Sequence, residues 1–475
     1  MYKTTSDFSI GSCFIMIHLN KESVDFMGQN KASRRDFLFK STLSGLGLGL
    51  MSNNLFAESF EKENDLLMTA PLKGALIITD IKCAIIGGSP VVRITTNQGI
   101  SGYGQAEIAK KYLKPFVLFY KEYLIGEDPT NVERCMLKIR RMGSFKPYGS
   151  AVSIIEMALW DIAGKAASLP VYKLLGGKVR DRVRVYTTAV TQYRETSGIN
   201  PDDYAQAVSK VKELKEGFTI IKMPIGFHSQ MAGKAPNFFY GDPVGPGNPP
   251  HGNRGPLTEQ GLKRIIACVD AMKKVLGDEI GLAIDCGPGF MLSDAIRLCK
   301  SLEPYNLMWM EDLLTGDYRP YVMADDYLEL TRSTTVPIHT GEQIYLRQNF
   351  RELIERNAIR VIGPDVADAG GIAEMKWIAE YADLHGIQMA PHGIYDGLIG
   401  NAAQVHLGAV MPQNFIAFEY SFATPEWWYD ILDGLEDQVV KNGHIDVTDK
   451  PGLGVNFIVK EAKKYLSEED SKFFD

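Results

Sequence analysis

Three acidic residues, Asp285, Glu311 and Glu342, each follow a short apolar run, and they stand 26 and 31 residues apart. The runs are Gly281 to Ile284, Leu307 to Met310 and Val336 to Thr340, the last closed by Gly341. Such intervals fit one strand, one helix and two loops, the repeating unit of a parallel βα barrel. Side chains at the C-terminal ends of neighbouring barrel strands converge on one mouth, so the three carboxylates would meet there. Close carboxylates repel unless a hard cation holds them, and an all-oxygen donor set suits Mg²⁺. The spacing therefore predicts a Mg²⁺-dependent enzyme with Asp285, Glu311 and Glu342 as ligands. The plain alternative is three unrelated surface acids at strand ends.

Three more strand ends carry chemistry. Asp365, His392 and Glu419 follow their own apolar runs at steps of 27 residues. On adjacent strands Asp365 accepts a hydrogen bond from one ring nitrogen of His392, fixing the tautomer and leaving the other nitrogen aimed into the mouth. Lys222 ends an earlier strand; it acts there either as a base with a depressed pKa or as a holder of an anionic oxygen. Arg347, just beyond the third acid, is a candidate for the substrate carboxylate, and a structural ion pair is the other reading. His339 reads as wall packing, and Trp427-Trp428 as packing between the barrel and its cap rather than a sugar platform.

The elements that must position these residues follow from periodicity. Strand candidates at 183–187, 219–222, 281–285, 307–311, 336–342, 361–365, 388–392 and 415–419 number eight, which close a barrel. Helical patterning fills 258–276, 291–302, 350–355 and 372–384. Ahead of the barrel, 77–86, 91–96 and 102–106 read as an antiparallel meander, followed by helices at 112–123, 131–142 and 151–167. The fold class expected is thus α/β: a modified (β/α) barrel at 181–430, an N-terminal α+β cap at 74–180, and a C-terminal segment at 431–475 that returns to the cap. A Gly/Pro-rich insertion from Gly226 to Pro256, containing His228, Phe238, Phe239, His251 and Arg254, would hang over the mouth.

Composition sets outer bounds. The 475 residues are 45% hydrophobic and 23% charged, ordinary for a globular chain of a large and a small domain. With 51 basic and 58 acidic residues the net charge is −7 and no basic block occurs, which argues against a nucleic-acid partner. No apolar run approaches the roughly 18 residues that span a bilayer. The six cysteines are scattered and suggest neither zinc nor a disulfide framework. Residues 1–57 have the shape of a twin-arginine signal: Ser33-Arg34-Arg35-Asp36-Phe37-Leu38, an apolar stretch from Leu43 to Met51, and a possible cut after Ala57. Residues 58–73 read as a linker, and export of an already folded protein is the expectation; without a functional signal the chain would be cytoplasmic.

The same residues resemble the enolase superfamily in its mandelate racemase-like branch. The likeness lies in Glu156-Met157-Ala158-Leu159-Trp160-Asp161, Leu174-Leu175-Gly176-Gly177, the ligand sites Asp285, Glu311-Asp312 and Gly341-Glu342, and the dyad Pro364-Asp365 with Pro391-His392. The resemblance implies Mg²⁺, a capping domain, homo-oligomers, and removal of the proton α to a substrate carboxylate. Racemases of that branch carry Lys-x-Lys on the second strand, whereas this chain has Lys222-Met223-Pro224, which favours one-base chemistry. Gly287 stands where relatives carry asparagine or a histidine acid, so a polar contact and a separate acid are expected to be missing there. The pattern is most similar to L-rhamnonate dehydratase-like acid-sugar dehydratases, also through Asp317-Tyr318 and Pro391-His392-Gly393. The implied reaction is dehydration of a sugar acid to a 2-keto-3-deoxy acid, with His392 as base and acid. A sugar-acid cycloisomerase or epimerase is the alternative, and a non-catalytic binding protein on the same barrel the third reading.

Overall fold

In the computed structural model the described residues are 74–475, apart from 109, 144–147, 189–197, 242–254, 316–322, 394–396, 421–425 and 437–438. The signal and linker readings at 1–73, and those resting on His251, Arg254 and Asp317-Tyr318, lie outside the described residues.

The expected meander forms first. β1 (Ile78–Ile86), β2 (Ser89–Thr96) and β3 (Ser101–Gln105) pair antiparallel in order. The turn between β2 and β3 is set by Gly99, whose φ of 80° suits glycine, and by Asn97, whose side chain bonds Ile77 and Ala75. The sheet packs on a long helix, Tyr148–Ala167. Two glycines of β3 allow the close approach: a Cβ at Gly104 would stand 1.9 Å from the Ile154 carbonyl oxygen, and one at Gly102 would stand 2.1 Å from that of Ala158.

Eight parallel strands follow: β4 (Arg182–Thr188), β5 (Ile220–Pro224), β6 (Gly281–Asp285), β7 (Met310–Glu311), β8 (Ile338–Thr340), β9 (Val361–Ile362), β10 (Gln388–Met389) and β11 (Phe418–Glu419). Neighbours pair in chain order and β11 returns to β4. The ring closes between the last two, where Ile416 N–H donates to Met389 O at 2.8 Å and Glu419 N–H to Pro391 O at 3.0 Å. The barrel is therefore complete, as expected. From β7 onward the strands are shorter than their apolar runs, because the chain reaches the mouth through single bridges such as Asp365 to His392.

Strand alternation explains why the chemistry lies where it does. A buried layer inside the barrel holds Tyr186, Ile220, Ala283, Trp309, Val361, Ala390 and Ala417. Two residues further along the same strands stand Thr188, Lys222, Asp285, Glu311, Gly363, His392 and Glu419, which the period of two aims inward again, one layer nearer the mouth. β8 departs from this rule. His339 fills the interior, its ring stacked on Trp309 at 5.4 Å, and Gly341, with φ of 143°, shifts the phase so that Glu342 rather than residue 341 faces the mouth. Gly363 yields its place to the His339 ring, which would lie 2.1 Å from a Cβ there.

The barrel helices Glu259–Leu276, Leu292–Leu302, Arg347–Glu355 and Ile372–Leu384 stand where expected. Three more, Pro201–Lys212, Ala324–Arg332 and Gly397–Val410, were not anticipated. The C-terminal segment does more than return to the cap. β12 (Leu432–Asp433) pairs with β14 (Asn456–Phe457), and between them β13 (His444–Asp446) pairs antiparallel with β4 at the barrel's foot. The segment joins the cap on both sides of β14: Leu453 N donates to Asp161 ahead of it, and beyond it Asp470 accepts from Ile85 N and the Phe473 carbonyl from Arg93.

Cap and barrel meet along a seam of buried acids. Glu156 of the long cap helix accepts from Ile372 N at 2.6 Å, Ala373 N at 2.9 Å and Trp160 Nε1 at 2.7 Å, capping the barrel helix Ile372–Leu384. Asp161 accepts from Leu453 N and Tyr103 N and pairs with Lys165. Asp368 takes Lys110 at 2.8 Å. Trp427 stacks on Trp428 and Tyr465 and lies against Gly87 of the cap, which accords with the packing reading. Among the described residues no helix is long and apolar enough to cross a membrane.

Candidate active site

The mouth of the barrel gathers seven of the eight expected residues. Lys222 Nζ, 1% exposed, lies 2.8 Å from Glu311 Oε1, 3.2 Å from Glu419 Oε1 and 3.6 Å from Asp285 Oδ2. Glu311 is held from its other side by Trp309 Nε1 at 3.0 Å. Glu419 also accepts from the Thr188 hydroxyl and, at 3.5 Å, from Tyr186. His392 Nδ1 donates to Asp365 Oδ2 at 2.6 Å, and Asp365 is fixed in turn by Ala367 N at 2.7 Å. The other ring nitrogen, Nε2, faces Glu342 at 3.2 Å and Glu419 at 3.7 Å. The oriented dyad expected from the sequence is thus formed, with Nε2 aimed into the cluster.

Electrostatics sort the roles. Burial works against the charged form of Lys222, but Glu311 and Glu419 outweigh it and hold the ammonium well above its usual range. Of its two readings, the geometry matches a cation paired to anionic oxygens, with Glu311 and Glu419 as the oxygens it holds here. Burial also opposes a charged His392, and the carboxylates of Glu342, Glu419 and Asp365 push it well up. Asp285 would rise on burial alone, yet His228 and Lys222 hold it at about 2. Glu311 is raised, first by burial and further by the negative charges of Asp285 and Glu342, with Lys222 pulling the other way.

A model of the mandelate racemase / muconate lactonizing enzyme N-terminal domain matches residues 87–176, and a model described as enolase C-terminal domain-like matches 205–462. The chain belongs to the mandelate racemase/muconate lactonizing enzyme family. Among curated relatives of this family, a D-xylonate dehydratase of Haloferax volcanii is 31% identical over 415 residues, covering 83% of this chain and 90% of that protein. A D-galactonate dehydratase family member of Enterococcus gallinarum is 30% identical over 412 residues, covering 80% and 92%. A crystal structure of a mandelate racemase/muconate lactonizing enzyme-like protein from Rubrobacter xylanophilus superposes with a TM-score of 0.71 at 31% identity, over 83% of this chain and 98% of that one.

Two expectations for this family member are corrected by the structure. Arg347 is not brought to the cluster. Its Nε and Nη2 donate to Glu374 at 2.9 and 2.8 Å and its guanidinium lies over Trp377, so the structural ion pair replaces substrate binding. Tyr345 likewise faces the seam, donating to Arg140 O at 2.8 Å. Nor does Gly287 leave the mouth without a polar group. His228, from the insertion after β5, fills that space, and its Nδ1 lies 2.7 Å from Asp285 Oδ1. Burial disfavours the charged His228 ring, but Asp285 more than offsets it and raises the pKa to about 9. No spacing in the sequence marks this residue, because it reaches Asp285 across two loops.

As for the metal, no three His, Cys, Asp or Glu side chains among the described residues stand in ready ligand geometry. Each carboxylate of the expected triad is turned to a donor instead: Asp285 to His228, Glu311 to Lys222 and Trp309, Glu342 to Gln343 and His392. The donor chemistry nonetheless fits a hard cation. Three carboxylates close consecutive strands, all buried, and the field of two of them opposes ionisation of the third. A divalent ion would relieve that repulsion, and oxygen-only donors suit hard cations such as Mg²⁺.

Proposed function

We propose that this chain is a Mg²⁺-dependent hydro-lyase that dehydrates an aldonic-type sugar acid to its 2-keto-3-deoxy product. The observation that carries this reading is the His392–Asp365 dyad aimed at a ring of carboxylates, in a family whose matched relatives bear sugar-acid dehydratase names. Asp285, Glu311 and Glu342 would hold the cation. When bound, Mg²⁺ supplies positive charge against the substrate carboxylate as the α carbon loses its proton.

The chain's own residues do the rest. Asp365 keeps Nδ1 of His392 protonated and the ring fixed, so Nε2 is the atom that removes the α proton. A cation held by Glu342 would offset one of the carboxylates that favour the charged His392 ring, leaving Nε2 to accept a proton. The electron pair freed at the α carbon forms a C=C bond as the β C–O bond breaks. The same imidazolium returns the proton to the departing hydroxyl, which leaves as water, and the enol rearranges to the 2-keto acid. Lys222 and Glu419, locked together beneath the substrate, fix its anionic and hydroxyl oxygens. Twin-arginine export of the folded protein and homo-oligomer assembly belong to the same proposal.

The test is incubation of the Mg²⁺-loaded protein with a panel of aldonic and aldaric acids. A semicarbazide-positive product supports dehydration. Its absence together with an NMR-detected change of ring or stereochemistry supports the isomerase reading, and no change with any acid overturns both.

A further inference from the structure

Two loops interlock at one side of the mouth. Ile225 N–H donates to Asp285 O at 2.7 Å, and Phe227 N–H and His228 N–H donate to Cys286 O at 2.8 and 3.3 Å, so the chain leaving β5 is stitched onto the chain leaving β6. Its side chains enter spaces that glycines leave. A Cβ at Gly289 would stand 2.5 Å from the Phe227 ring, and a Cβ at Gly287 would stand 2.5 Å from Cδ2 of His228 and 2.8 Å from its Cγ and backbone N. Phe227 is anchored further by the rings of Phe290 at 5.1 Å and Phe239 at 5.5 Å. The His228 ring thus occupies the volume that a side chain at 287 would claim.

From this arrangement we infer that His228 is the positioning residue of Asp285, and that positions 228 and 287 work as one unit shared between two strands. An ionised carboxylate only accepts, so Nδ1 of His228 donates to Oδ1, and Gly287 N–H donates to the same oxygen at 3.1 Å. Two fixed donors on Oδ1 lock the carboxylate's rotation and leave Oδ2 turned toward Lys222 and the cluster. Such hydrogen bonds to a ligating group set its orientation and its basicity. The side of the mouth matters too. β6 and β10 are four strands apart in a closed ring of eight, so His228 faces His392 across the site. The inference rests on the metal reading proposed above.

The test measures Mg²⁺ affinity of the full chain by calorimetry, with melting temperatures as a fold control. His228→Ala is expected to weaken Mg²⁺ binding about ten- to a hundredfold, the usual effect of losing a partner behind a ligand. His228→Asn, whose amide nitrogen can replace Nδ1, is expected to retain most of the affinity. Equal Mg²⁺ affinity in the unaltered chain and His228→Ala overturns this inference alone. Absence of Mg²⁺ binding by the unaltered chain overturns the metal reading on which it stands.

Discussion

Among the described residues buried charge is concentrated at the barrel mouth and along the seam with the cap, and the two are built on different principles. In the seam two acids are saturated by fixed donors: Glu156 by two backbone N–H groups and an indole, Glu374 by both arms of Arg347 and by its backbone N–H. At the mouth the acids face one another, and their partners are Lys222, His228 and His392, side chains that can exchange one anion for another. Desolvation makes both arrangements costly, so both must be paired. The lesson is that burial of charge alone does not mark an active site. What marks it is charge whose pairing is incomplete without something else.

If that contrast is right, changes at the mouth remove activity and spare the fold, whereas changes at the seam do the reverse. The largest effect is expected at His392→Asn, with turnover down on the order of 10³-fold or more and the melting temperature little changed, read by 2-keto acid formation beside a thermal melt. Undiminished turnover would break the comparison at its strongest point. Next, stripping divalent ions with a chelator should lower activity by roughly 10³-fold, reversed by adding Mg²⁺ in excess. Indifference to the chelator would return the three carboxylates to a structural role.

The seam gives smaller, opposite effects. Arg347→Ala leaves Glu374 with Arg140 and the backbone only, and should cost about 1–3 kcal/mol of stability in denaturant titrations. KM is expected to stay within twofold, and a large KM increase would restore Arg347 to the substrate. A further effect concerns pH. Burial pushes Glu156 up to about 8 against the donors that favour its ionised form. Because the folded state then binds the proton more tightly than the unfolded chain, this group's contribution to stability is present below pH about 4.5 and declines as pH rises toward 8. Glu156→Gln should flatten that part of the stability profile, and an unchanged profile would count against it.

Much of the mouth was legible in the sequence because of one local rule. Each of Asp285, Glu311, Asp365, His392 and Glu419 closes an apolar run, and barrel geometry forces strand ends together whatever lies between. Glu342 was found by the same rule although its strand changes phase at Gly341. The helix Gly397–Val410 was not found, since it is buried almost all round and shows no amphipathic period. Ala324–Arg332 is short, and Pro201–Lys212 carries a start signal, the Asn200 cap with Pro201, that could have revealed it. Arg347 was misassigned because a cation beside a site and a cation in a seam look alike in one dimension. His228 was placed over the mouth by the insertion that carries it, but its contact with Asp285 was not anticipated: it depends on which of two loops fills a shared volume, and that is decided by packing rather than by any period along the chain.

The seam has a consequence for engineering. Glu156 sits in the cap's longest helix yet plugs the first turn of a barrel helix, and Gln105 of β3 accepts from Ile399 N at the start of another. A cap lacking these two side chains would leave both helix starts unsatisfied. A chimera that keeps its fold must carry Glu156 together with Gly371 and Gln105 together with Gly397, whose missing side chains make room for them. Substrate preference is therefore easier to transplant by exchanging loops at the rim than by exchanging caps.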